Sequence, residues 1–282
     1  NPNLAPFYTI TKIEGLTVGK SSPEVIKRLE DCGIRSIDNI TDITNLIMLE
    51  YGQPLHAFDA DRVRGEVRVR VAKEGEKITT IDGKIRVLNE DDLVIADERE
   101  PIGIAGIMGG KDSEISSSTT NILLEAAIFD PINIRESAIR LGLTSEASKR
   151  FQHGLTKKAL LEALNAAIKM YQQLGGKVAA VTLVGDFEDK SRKIELNLDH
   201  INNLVGIEFK ETEVETYLKR LYFEPEKTSD GKWDVKVPYF RLDVNIEEDL
   251  IEEVARLYGY EKIPAKEVSE SNPLQKEYPI FQ

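Results

Sequence analysis

The sequence predicts a mixed α/β (α+β) domain with a mixed sheet and flanking helices, followed by a small winged-helix-like α+β module. Three observations carry this. The chain has 282 residues, enough for a full core and for two domains at a prior of ~100 to 200 residues each. Strand-like alternation and helical 3.6-residue spacing follow one another over the first 185 or so positions. A polar, charged stretch, FEDKSRK at 187–193, then precedes a shorter helix–hairpin–helix pattern. The expected division is 1–186, 192–266, and a last stretch at 267–282 that begins a further region.

The elements follow in order. FYTITKIEGLTV reads as a strand. SSPEVIKRLEDCG reads as a helix, with Ser22 as N-cap, Pro23 at the first helical position and Gly33 past the end. In NITDITNLIMLEYG the apolar positions Ile43, Leu46, Ile47 and Tyr51 recur at helical spacing and Gly52 stops the run, so His56 follows a helix exit. KITTIDGKIRVL is a hairpin pattern in which Asp82-Gly83 would supply the positive φ angles of a tight turn. DDLVIAD, PIGIAGIMGG and NILLEAA read as strands. DPINIRESAIRLGL is a helix capped by Asp130, a long helix runs from Thr156 to Leu174, and KVAAVTLVGD is a strand. In the second module, capping boxes are expected from Thr212 to Glu215 and from Asn245 to Glu248, with a hairpin turn at Asp230-Gly231 between them.

Composition narrows the function classes. Hydrophobic residues are 41% and charged residues 30%, and no apolar run approaches the ~18 residues that span a bilayer. NPNLAPFYTI has no basic stretch followed by an apolar one and no initiator Met, so an internal fragment is expected rather than a signal peptide. The single cysteine, Cys32, cannot form an internal disulfide, and the cytoplasm is the expected compartment. A net charge of −12 argues against general nucleic-acid affinity and leaves room only for local RNA contacts. A solvated face accounts for the basic run RVRGEVRVRV at 62–71 and for Arg140, Lys149, Arg150, Lys157 and Lys158. The acidic last helix makes a DNA-binding winged helix a poor reading.

Three stretches exceed what secondary structure requires. In GQPLHAFD, His56 lies among apolar neighbours with Asp59 near enough to orient an imidazole, although a hydrogen-bonded core histidine fits as well. In GIAGIMGG, Gly103, Gly106, Gly109 and Gly110 imply close approach of another group or tight packing, and the spacing is not that of a phosphate loop. In NILLEAAIF, Glu125 interrupts an apolar run, so it faces a cavity or meets a cation such as Arg35. LTSEASKRF adds hydroxyls at Thr144, Ser145 and Ser148 near a helix start, where N-capping and ligand binding are both open.

Taken in order, TDITNLIMLEYGQPLHAFD, GIAGIMGG, LLEAAIFDP and LGLTSEASKRF resemble the editing region of bacterial phenylalanyl-tRNA synthetase β subunits over nearly the whole chain. The resemblance implies hydrolysis of tyrosine wrongly attached to tRNA(Phe), in a pocket of Arg35, Thr44, Asn45, His56, Gly109, Glu125, Ser145 and Ala147. His56, Thr44 and Asn45 would sit at the ester end, and Glu125 with the Gly109 backbone at the phenolic hydroxyl. It further implies Mg²⁺ held by Asp243, Asp249, Glu252 and Glu253 at the contact with an α subunit, in an α2β2 enzyme that uses ATP. No ATP-binding signature is present in this segment. The carboxylates Asp249, Glu252 and Glu253 share one helix face, where Arg241 and Arg256 would neutralise them equally well. Two departures are Ser145, where many members have threonine, and RFQHG with Gln152 and His153 in place of a more basic run. A noncatalytic tRNA-positioning scaffold and a freestanding deacylase are the alternative functions.

Overall fold

In a computed structural model, residues 2–189 and 192–265 are described, so the stretch expected at 267–282 lies outside the described residues. The chain divides into two compact units, Asn1–Lys190 and Ser191–Gln282.

The first unit opens with strand β1 (Phe7–Glu14) and helix α1 (Pro23–Asp31), whose N-cap Ser22 accepts a hydrogen bond from the Val25 N–H. Helix α2 (Asn39–Tyr51) is capped by the Asp38 carboxylate and ends at Gly52, whose φ of 71° places it in the left-handed region open to glycine. Then come β2 (Leu55–Asp59), β3 (Arg68–Val71), the hairpin β4 (Lys77–Thr79) and β5 (Ile85–Val87), β6 (Leu93–Ala96), β7 (Pro101–Ile104), β8 (Met108–Gly109) and β9 (Ile122–Ile128). Helices α3 (Pro131–Leu141), α4 (Glu146–Phe151) and α5 (Lys157–Gln173) precede strand β10 (Lys177–Gly185).

The sheet orders are β10-β1-β9-β2, β3-β6-β7-β8 and β4-β5. The expected mixed sheet is thus three sheets, and every pairing among the described residues is antiparallel. Strand β9 is central to the first sheet and buried on both faces, which explains its nearly continuous apolar run. Leu124, Ala126 and Ile128 join Ile40, Ile43 and Ile47 of α2 and Leu160, Ala163 and Ala167 of α5 in one core. On the opposite face Ala127, with Tyr8 of β1 and Phe58 of β2, packs against Ile95 and Ile104 of the second sheet.

The second unit comprises β11 (Arg192–Asn197), α6 (Leu198–Val205), α7 (Glu211–Arg220), β12 (Glu224–Ser229), β13 (Lys232–Val237) and α8 (Glu247–Tyr258). Its sheet order is β11-β13-β12, and Trp233, Leu250 and Val254 lie at the centre of its core.

Several local expectations are corrected. In the β4–β5 hairpin only Gly83 takes a positive φ, and Thr80 to Lys84 form a longer connection closed by the Thr80 N–H on the Lys84 carbonyl at 3.0 Å. PIGIAGIMGG is two short strands folded back at Gly106, φ +65°. LHAFD is a strand, although the pattern pointed only to a helix exit. Helix α7 starts two residues earlier than Thr212 to Glu215 implies: Glu213 accepts from the Lys210 N–H at 2.8 Å. At α8 Asp249, rather than Glu248, accepts from the Asn245 and Ile246 N–H groups at 2.7 and 3.0 Å. Strand β11 and helix α6 are additions to the expected helix–hairpin–helix pattern.

One buried bond fixes the helix pair behind the site. The Tyr171 hydroxyl, at the end of α5, donates to the Ile40 carbonyl in the first turn of α2 at 2.9 Å. Tyr171→Phe is expected to lower stability by about 1–2 kcal/mol in urea unfolding, since the carbonyl is left buried without its donor; an unchanged midpoint contradicts this.

Candidate active site

A cavity of about 280 Å³ opens between α2, β2, β9, the β7–β8 turn and the start of α4. Helix α2 contributes Thr41, Thr44, Asn45 and Met48 at i, i+3, i+4 and i+7, a single stripe of the helix. The other stripe, Ile40, Ile43 and Ile47, is core. Strands β2 and β9 contribute His56 and Glu125, which are direct cross-strand partners. Gly109 comes from β8, and Ser145 and Ala147 from the entry to α4.

Gly109 has a steric reason to be glycine. A Cβ there would lie 2.6 Å from His56 Cε1 and 2.7 Å from Nε2, so any side chain displaces the imidazole. The ring is held from its other side by Phe58, edge-to-face at a centroid distance of 4.5 Å.

Of the residues expected in the pocket, seven line this cavity: Thr44, Asn45, His56, Gly109, Glu125, Ser145 and Ala147. Arg35 does not. It is exposed in the α1–α2 connection and is absent from the cavity wall, so it does not neutralise Glu125. Asp59 does not orient His56. Three positions along β2 it points to the opposite face, where it accepts from the Thr119 hydroxyl at 2.6 Å and the Asp61 N–H at 3.0 Å. The wall residues that sequence reasoning missed include Thr41, Met48, Ile107 and Phe151; the helical spacing of the first two with Thr44 and Asn45 was the available signal.

The hydroxyls are largely engaged. Ser145 Oγ donates to the Ile107 carbonyl at 2.8 Å and accepts from the Ser148 N–H at 3.0 Å, tying α4 to the β7–β8 turn. Capping therefore explains Ser145 and Ser148, and Thr144 is exposed. Thr44 Oγ1 donates back to the Thr41 carbonyl at 2.7 Å, which leaves its lone pairs for an incoming donor. Asn45 has no hydrogen-bond partner among the described residues.

The two titratable groups are neutral at neutral pH. Burial lowers His56 from 6.5 to about 4 and raises Glu125 from 4.5 to about 8, each because the charged form loses its water without gaining a counter-ion. His56 Nε2 and Glu125 Oε2 are both buried without a partner. The wall is otherwise largely apolar, so the site is a hydrophobic slot with one carboxylic acid, one imidazole and one free amide. Such a set can hold an apolar ring and recognise a hydroxyl on it. The basic groups near α4 are partly offset: Lys149 and Arg150 share the single carboxylate of Glu146 at 2.7 and 2.9 Å. Arg68 and Arg70 of the 62–71 run pair likewise with Glu66 and Glu76.

In the second unit the carboxylates expected to hold Mg²⁺ have other partners. Asp243 takes a bidentate bond from Arg241, which also meets Glu253 at 2.9 Å, and Glu253 is bonded by Arg256 as well. Asp249 caps α8 and Glu252 is exposed. No three His, Cys, Asp or Glu side chains among the described residues are placed to hold a metal ion, and this arrangement does not fit one. No described helix is long and apolar enough to cross a membrane.

Comparison with known proteins places this geometry. Residues 4–176 match the B3/4 domain model and residues 194–260 the tRNA synthetase B5 domain model. The chain belongs to the B3/4 domain family, with a B5 domain behind it. Among curated proteins it is similar to phenylalanine–tRNA ligase β subunits: it is 44% identical to that of Protochlamydia amoebophila over 91% of this chain and 32% of that protein. For Geobacter metallireducens the figures are 44%, 93% and 33%. The chain thus spans about a third of the length of these relatives. An N-terminal fragment of the phenylalanyl-tRNA synthetase β-subunit from Pyrococcus horikoshii aligns over 91% of this chain and 72% of that one, at 17% identity and a TM-score of 0.42.

The neutral carboxyl leaves a mark on stability. The folded chain keeps a proton on Glu125 that the unfolded chain releases, so stability falls as pH rises from about 4.5 to about 8. His56 acts oppositely, and its contribution is lost as pH falls from 6.5 towards about 4. Glu125→Gln removes only the first loss. Urea unfolding across this range is expected to show the variant gaining on the parent by a few kcal/mol towards the alkaline end; a pH-independent difference contradicts a neutral Glu125.

Proposed function

We propose that the first unit is an editing hydrolase that removes tyrosine wrongly esterified to tRNA(Phe). It would serve a cytoplasmic, ATP-dependent ligase whose synthetic site lies in a partner α subunit. The observation that carries the reading is the buried, neutral carboxyl of Glu125, without a cation, facing a largely apolar cavity beside His56. Tyrosine is phenylalanine plus one hydroxyl, and an apolar synthetic pocket rejects an added hydroxyl only modestly, so a second, hydrolytic sieve has a purpose. A sieve for tyrosine must recognise that hydroxyl. Glu125 does so with support from the Gly109 backbone, and phenylalanine leaves the buried carboxyl unpaired at about 1–3 kcal/mol.

At the ester end, Thr44 and Asn45 orient the substrate and His56 positions water. Water oxygen attacks the carbonyl carbon, the bond to the ribose oxygen breaks, and that oxygen leaves with a proton. An imidazole this easily deprotonated is a weak base, so His56 acts chiefly by orientation. Ser145 and Ala147 shape the wall, Ser145 through its bond to Ile107. Arg35 is exposed and contributes at most at the entrance. The B5 unit is read as the part that meets tRNA and the α subunit in an α2β2 enzyme. Mg²⁺ bound there would require Asp243 and Glu253 to give up their arginines.

Two substitutions test this. Glu125→Ala is expected to abolish the preference for tyrosyl over phenylalanyl esters in deacylation of tRNA charged with each, and an unchanged ratio of rates refutes the assignment. His56→Ala is expected to slow tyrosyl-tRNA hydrolysis roughly 10²-fold; a parental rate in the whole enzyme would remove His56 from the site.

A further inference from the structure

The buried face that carries His56 and Glu125 holds a third polar group without a partner, the hydroxyl of Tyr8. Glu125 sits opposite Ile10 of β1 and opposite His56 of β2, and Tyr8 sits opposite Ala127. Tyr8 and Glu125 are therefore diagonal neighbours on one face, a separation of roughly 7–8 Å that an aromatic side chain can span. The small Ala127 leaves space beside the ring. Tyr8 packs on Phe129 at 6.5 Å between centroids, and Phe129 on Phe151 of the cavity wall at 5.1 Å. The hydroxyl thus lies behind the wall rather than in the slot. Burial and the nearby Glu125 carboxyl both push its ionisation well above the usual tyrosine range, so Tyr8 keeps its proton and is a donor.

We propose that Tyr8 is a positioning residue for the specificity carboxyl: once a ligand enters, its O–H, unpartnered in this structure, turns to hold one oxygen of Glu125, leaving the other to the hydroxyl of the ligand's aromatic ring. A neutral carboxyl has one donor and one acceptor, and a free one can rotate to present either. Tyr8 sets which faces the cavity. This rests on the editing reading for the identity of the ligand, while the pairing of Tyr8 with Glu125 rests on the strand register alone.

The test is Tyr8→Phe in the full chain, which keeps the ring against Ala127 and Phe129. The ratio of kcat/KM for tyrosyl over phenylalanyl esters is expected to fall about 3- to 10-fold, the loss of one hydrogen bond, with the phenylalanyl rate unchanged. In Tyr8→Phe/Glu125→Ala the ratio is expected to match that of Glu125→Ala, because the tyrosine acts only through the carboxyl. An unchanged ratio, an equal loss on both esters, or an additive double variant overturns the proposal. Affinities for tyrosinamide and phenylalaninamide, measured by calorimetry, separate the two readings. If the parent hydrolyses neither ester, the editing reading falls, and the same 3- to 10-fold shift in affinity ratio still supports the pairing. An unshifted ratio, or no binding of either amide, overturns it.

Discussion

The constraint on which the site depends is the antiparallel seating of β9 between β1 and β2. One register, with Glu125 opposite His56 and Ile10, decides which side chains of a doubly buried strand enter the α2–α5 core and which face the second sheet. A slip of one residue would send Glu125 into the core with Leu160 and Ala163. Gln53, fully buried, guards the register at the β2 entrance: its amide nitrogen donates to the Ala127 and Pro54 carbonyls, each at 3.0 Å. Thr9 does the same from β1, donating to the Ala126 carbonyl at 2.9 Å.

That register also sets the electrostatics. No cation reaches Glu125, so the carboxyl keeps its proton, and no carboxylate reaches His56, so the imidazole stays neutral. Other buried carboxyl groups have partners: Asp92 pairs with Arg140 and Glu253 with Arg241, and Asp42 accepts from the Ser21 and Ser36 hydroxyls. A polar site without net charge suits a neutral ring bearing a hydroxyl better than a phosphate or an acid.

Helices with two agreeing end signals were legible in the sequence. Ser22 with Gly33, Asp130 with Pro131, and Thr156 with the glycines after Leu174 mark boundaries that the structure keeps within a residue or two. Strand β2 was not, because five residues after a helix exit carry too little periodicity, and that omission is what misplaced Asp59. Glu125 was legible as a chemical anomaly, a carboxyl in an apolar run, whereas its neutrality depends on Arg35 being elsewhere, a fact of loop path. The expected magnesium ligands show the opposite limit. Spacing along α8 set Asp249, Glu252 and Glu253 on neighbouring positions, but Arg241 and Arg256, distant or close in sequence, take Glu253, backbone N–H groups take Asp249, and Glu252 is exposed.

The engaged polar groups and the free ones are distributed unequally. Ser145, Asp59 and Tyr171 spend their hydrogen bonds on fixing one segment to another, and Ser148 spends its own on the cap of α4. His56 Nε2, Glu125 Oε2 and Tyr8 Oη, by contrast, lie on one face with none. Each unmet group weakens the fold by about 1–3 kcal/mol, and a chain under no demand beyond folding would replace them with apolar side chains of similar shape. Two cores flank the slot and supply enough buried surface to tolerate that loss. Of the unmet groups, Glu125 and His56 line the cavity, where a ligand with a hydroxyl on an aromatic ring can satisfy them and a purely apolar one cannot, so the cost to the fold and the proposed selectivity have one origin.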